Sequence, residues 1–267
     1  MKKINLKNFF IINLTIMILL LISFTACSKD EQQIDVQQNH NQPQEIKTAD
    51  LSILHFNDFH AAFRTIGKSD EQDLPKWGGA GVLGGYIKNF RSANENTLIF
   101  FSGDMIQKTP LEEVSKAESL IDIFNILKPD AATLGNHEFD EGVPNWIKQA
   151  SNWVNYPLIA ANYLFDDPYD YSNYQTPVLV MPYTIVSKDG LDIALIGIAN
   201  TSSMVSISDA GNSLGITPED VQGITQYFVN ILKNQVDLVV IVSHGGLDVD
   251  QVLCRELTDV DIIFGGH

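Results

Sequence analysis

The chain has 267 residues and carries a formal net charge of −16 at pH 7, from 33 acidic against 17 basic residues. That balance excludes a nucleic-acid polymer as the natural partner, although an acidic protein can still hold a phosphate ester where bound cations reverse the local field. Two cysteines exclude a disulfide-stapled scaffold, so stability must come from packing or from metal.

Residues 1–26 carry Lys2, Lys3 and Lys7, an apolar run from Phe9 to Ile22, and small residues ahead of Cys27. This is the order of a bacterial secretory signal, and the apolar run is shorter than the roughly 20 residues needed to span a bilayer. The residues before Cys27 resemble a lipobox, where cleavage leaves the cysteine first and its thiol takes a lipid. The chain is then expected to be exported and anchored to the lipid bilayer of the cell envelope through Cys27; ordinary cleavage beside an incidental cysteine is the alternative. Removing the three lysines leaves 14 basic against 33 acidic residues, a net charge of −19 for the mature chain. Residues 27–50 read as the lipidated cysteine and a disordered tether of Gln, Asn, Asp, Glu and Lys, with His40 inert within it. Residues 51–267 are the folded material.

Short β-branched runs then alternate with longer segments of helical period, the pattern of an α/β domain. Strands are expected at 51–57, 97–102, 131–134, 158–161, 178–187, 191–199, 237–243 and 261–264. Helices are expected at 81–92, 111–127, 143–154, 217–235 and 248–257. The helix at 217 is expected to open on Thr217 as cap with Pro218 in the first turn. Lys188-Asp189-Gly190 reads as the turn of a hairpin. Residues 166–175 read as a surface loop, and Cys254 as a small core residue on the apolar side of its helix.

Polar residues able to bind metal recur where these strands end, which is where open α/β sheets place their sites. They are Asn57-Asp58-Phe59-His60, Ser102-Gly103-Asp104, Gly135-Asn136-His137-Glu138, His244-Gly245-Gly246 and Gly265-Gly266-His267. Carboxylate, imidazole and amide together suit a hard-to-borderline divalent ion. His55 reads as a packed or hydrogen-bonded strand histidine and Glu138 as a local hydrogen-bonding group.

In this order Asp58-x-His60, Gly103-Asp104, Gly135-Asn136-His137-Glu138, His244 and Gly266-His267 resemble the calcineurin-like metallophosphoesterase signature. Leu54-His55-Phe56-Asn57-Asp58-Phe59-His60, Gly78-Gly79, Gly135 to Asp140 and Ala160-Ala161-Asn162 resemble its 5′-nucleotidase branch. The resemblance implies two packed sheets flanked by helices, and two divalent metal ions, Mn, Zn, Fe or Co. It implies Asp58 and His60 on the first ion, Asp104 bridging, and Asn136, His244 and His267 on the second. His137 becomes the catalytic histidine, oriented by Asp140, with Asn136 and His137 also meeting the substrate phosphate. The implied activity is hydrolysis of phosphate esters outside the cytoplasm by a metal-bound hydroxide, foremost of nucleoside 5′-monophosphates. UDP-sugar hydrolase, 2′,3′-cyclic-nucleotide phosphodiesterase and a non-enzymatic metal-binding surface lipoprotein are the alternatives. The family motif runs one residue past Gly-Gly-His to a second His or Gln, so the domain is expected to be C-terminally incomplete and to lack a second, substrate-binding domain.

Overall fold

Thr97–Ser102 form strand β2, and all six residues are buried; such a run belongs to a strand covered on both faces. The computed structural model describes residues 48–65, 77–107, 109–165, 180–201 and 216–267, all of them in one compact unit. Within it β2 is the middle of a parallel sheet, between β1 (Ser52–Phe56) and β3 (Ala131–Thr133). The expected strand at 158–161 appears as parallel bridges, Leu158 to Ala132 and Ile159 to Met181. β4 (Tyr163–Phe165) and β7 (Ile216–Pro218) form a separate antiparallel ribbon.

A second sheet runs in the order β5-β6-β8-β9, at Tyr183–Lys188, Leu191–Ile198, Leu238–Ser243 and Ile262–Phe264. β5 meets β6 as the expected hairpin, and the other pairs are parallel. Its turn residues Asp189 and Gly190 both have positive φ, 51° and 79°, as the tight turn that follows strand twist requires.

Side-chain parity along the strands sorts the core into three layers. Leu98 and Phe100 of β2 meet Leu191, Ile193 and Leu195 of β6 and Val240 and Val242 of β8 between the two sheets. The alternate residues Ile99 and Phe101 turn the other way, onto helices α1 (Gly79–Ala93), α3 (Glu118–Leu127) and α4 (Val143–Trp153). Ala194, Ile196, Val239 and Ile241 face α5 (Val221–Leu232) and α6 (Leu247–Glu256). The result is helix, sheet, sheet, helix, and it is the metallophosphoesterase fold that the residues resemble. Each fully buried aliphatic or aromatic side chain contributes roughly 1.5–3 kcal/mol.

Three local expectations are corrected. The helix expected at 111–127 is broken into α2 (Pro110–Ser115) and α3, because Lys116 and Ala117 both adopt positive φ. Thr217 and Pro218 lie in β7, and the helix begins after Asp220, whose carboxylate accepts from Gly223 N at 2.8 Å. Cys254 is exposed, because α6 meets the sheet through a narrow stripe of Val249, Leu253 and Leu257. The expected signal, tether, Cys27, His40 and the loop at 166–175 lie outside the described residues.

Candidate metal centre

All the motifs lie at the C-terminal ends of β1, β2, β3, β8 and β9, and the loops there are tightly held. Asp58 N donates to Gly103 O, His60 N to Asp104 O, and His244 N to Ile198 O, at 3.0, 3.0 and 2.7 Å. Asp58, His60 and Asp104 have φ of 50°, 48° and 60°, a left-handed conformation that costs a non-glycine residue about 1–3 kcal/mol and persists where surrounding contacts impose it.

Asp104 is the hub and is 2% exposed. Its Oδ1 accepts from His137 N at 2.9 Å. Its Oδ2 lies 3.1 Å from His244 Nε2 on one side and 3.8 Å from His60 Nε2 on the other. Burial opposes its charge, but His244 and His137 outweigh that and hold its pKa below the usual carboxylate range. Two donor groups result, each with ligand atoms within 4.8 Å of one another: His60, Asp104 and His137, and Asp104, His244 and His267. Four of the chain's six histidines thus converge on one carboxylate.

Asp58 stands just outside the first group. Its Oδ1 is 3.4 Å from His60 Nε2, while Oδ2 accepts from His267 N at 3.1 Å and from the Asn57 amide. Asn136 presents a buried side-chain oxygen without a hydrogen-bond partner, as do His60 Nδ1 and His244 Nε2 among nitrogens. The 3.1 Å approach of His244 Nε2 to Asp104 is therefore a contact without hydrogen-bond geometry. Orphaned buried groups cost roughly 1–3 kcal/mol each. A divalent cation would satisfy Asn136 Oδ1 and His244 Nε2 together, and their chemistry fits one.

His137 Nδ1 is 2.9 Å from Asp140 Oδ2. That hydrogen bond raises the imidazole pKa to about 9 against the opposing effect of burial, with the Asp104 charge adding to it. Glu138 does more than its sequence position suggests. Its buried carboxylate accepts from Gly135 N, Met105 N and Asp104 N at 2.6, 2.7 and 3.1 Å, clamping the loops after β2 and β3 together. Burial, then the Asp104 charge, pushes its pKa up to about 7. Asn200 was not singled out from sequence; fully buried, it donates to His244 O at 3.1 Å. The only sequence signal for it is an amide placed directly after the apolar run of β6.

The model of the calcineurin-like phosphoesterase family matches residues 51–267. The chain belongs to that family. It is similar to Protein 5NUC of Lutzomyia longipalpis, with 31% identity over 227 residues that cover 82% of this chain and 38% of that protein. It is similar to the 5′-nucleotidase of Rattus norvegicus at 28% identity, covering 83% and 38%. Among solved structures it resembles Haemophilus influenzae NAD nucleotidase, with a TM-score of 0.70 and 26% identity over 81% of this chain and 38% of that one. The chain therefore spans about two-fifths of the length of these relatives.

Proposed function

We propose that the chain is the metal-binding part of an exported phosphohydrolase that acts on nucleoside 5′-monophosphates. The observation that carries this reading is the single oxygen of Asp104 set between His60 and His244. In this reading Asp58 and His60 hold one divalent ion, Asn136, His244 and His267 hold a second, and Asp104 serves both. Bound there, the pair would supply Lewis acidity toward phosphoryl oxygens and lower the pKa of a water.

The chain's own residues do the rest. Asp140 fixes the His137 ring through Nδ1 and leaves Nε2 outside that contact. With the ring held so, a protonated His137 can donate from Nε2 to a phosphoryl oxygen as negative charge grows and then to the departing alkoxide. Asn136 offers its side-chain amide to the phosphate. Glu138 keeps the Asp104 and Asn136 loops from separating. Relatives named 5′-nucleotidases support the nucleotide as substrate, and the signal-like segment ahead of Cys27 supports a lipid-anchored, extracytoplasmic location.

The test is hydrolysis of AMP and p-nitrophenyl phosphate in Mn²⁺. Turnover is expected to vanish on chelation and in Asp104→Ala, and to fall in His137→Gln with Mn²⁺ still bound. Hydrolysis that survives both chelation and Asp104→Ala would overturn the reading.

A further inference from the structure

Behind the donor atoms, three strands from two different sheets meet at one imidazole. Residues 51, 53 and 55 share a face of the first strand, and Leu51 and Ile53 pack into the layer between the sheets. His55 therefore stands where an aliphatic side chain would pack better. Its Nε2 is 2.8 Å from Ser102 Oγ, at the end of β2. Its ring lies against Phe264, the last residue of β9, with centroids 5.2 Å apart.

Ser102 is fully buried. Its hydroxyl donates to Phe264 O at 3.3 Å. A carbonyl oxygen can only accept, so the hydroxyl proton is committed there and His55 must be the donor, as the Nε2–H tautomer. Burial lowers the His55 pKa, consistent with a neutral ring. The carbonyl oxygen of Ser102 in turn accepts from His244 Nδ1. With Nδ1 committed there as a donor, Nε2 is the His244 atom left toward Asp104. Space around that carbonyl is fully used, since a Cβ on Gly266 would lie 2.6 Å from it and 3.0 Å from His244 Nδ1.

We propose that His55 is a positioning residue for the metal pair: through Ser102 it holds the His244 ring and the end of β9, and so sets the separation of His244 from His267. The proposal rests on the metal-site reading above. A buried polar ring costs packing and desolvation free energy that an apolar residue would not, and the return is a directed chain from His55 to Ser102 to Phe264, two residues ahead of Gly266. Those two histidine rings stand 5.1 Å apart, and their donor atoms belong to one group with Asp104.

Two variants of the full chain separate the hydrogen bond from the packing. His55→Phe keeps a flat ring against Phe264 and deletes the donor; His55→Gln keeps an N–H donor within reach of Ser102. The metal-free proteins are titrated with Mn²⁺ alone by calorimetry, and the histidine Nδ1 and Nε2 signals of the metal-free chains are read by NMR. The parent should bind two ions. His55→Phe should weaken one of them about 10- to 100-fold, the usual effect of removing a group that orients a ligand, and shift the His244 nitrogens. His55→Gln should recover most of that affinity. Should His55→Phe fail to fold, Ser102→Ala replaces it with the same expected weakening. Equal binding of two ions by the parent and His55→Phe would overturn the proposal, as would His55→Gln no better than His55→Phe. Failure of the parent to bind two ions would overturn the metal-site reading and this proposal with it.

Discussion

Gly135→Ala isolates the close packing around Asp104. A Cβ at position 135 would lie 2.1 Å from Asp104 Oδ1 and 2.6 Å from Asp104 N, whereas real Cβ atoms keep beyond 3 Å. Position 135 is outside the left-handed region, so the whole penalty is steric. The loop cannot retreat freely, because Glu138 accepts from Gly135 N at 2.6 Å and from Asp104 N at 3.1 Å. Nor can Asp104 Oδ1 turn away without losing the bond from His137 N. Overpacking of this kind costs about 1–3 kcal/mol, with about 2–4 °C of melting temperature per kcal/mol for a domain of this size. Displacing Asp104 should also weaken Mn²⁺ binding at least about tenfold. The control is Gly81→Ala, where nothing lies within 4 Å in α1; it should stabilise by about 0.5–1 kcal/mol. Urea unfolding of the metal-free chains and Mn²⁺ calorimetry read both effects. A Gly135→Ala protein as stable as the parent and with the same Mn²⁺ affinity would refute the packing argument.

Asp220→Ala should destabilise by about 0.5–2 kcal/mol in urea unfolding through loss of the α5 cap; an unchanged midpoint would remove Asp220 from that role. Glu112 is 1% exposed, and burial, then the charges of Asp140 and Glu141, pushes its pKa up to about 7 from 4.5. A folded-state pKa above the unfolded one means the native state binds more protons between about pH 4.5 and 7, so this group's contribution to stability falls as pH rises through that window. The slope is at most about 1.4 kcal/mol per pH unit. Glu112→Gln should flatten it, making the variant gain on the parent from pH 5 to pH 8; parallel stability curves would contradict this.

The α/β class was legible because short β-branched runs alternate with longer stretches of helical period, and the hairpin because Asp189-Gly190 is a turn dipeptide; the two-sheet layering came from the resemblance, since β2, β6 and β8 are apolar on both faces and show no alternation. The break at Lys116-Ala117 was not, since neither residue favours positive φ and only tertiary packing imposes it. Thr217 misled because a hydroxyl before proline fits a helix start, yet Asp220 three residues on is an equally good cap and wins once β7 pairs with β4. At the site, the resemblance pointed to His60, His244 and His267, which lie with Asp104 in the two donor groups. It could not show that the Asp58 carboxylate is turned toward Asn57 and the His267 backbone, nor that His137 stands within the same donor group as His60, because both depend on side-chain rotation.

Anomalous diffraction from crystals of the chain grown in Mn²⁺ tests the shared carboxylate most directly. Two peaks about 3.5–4 Å apart are expected, both within coordination distance of Asp104 Oδ2, one beside His60 and the other beside His244. A single peak, or two peaks of which neither touches Asp104, would contradict it.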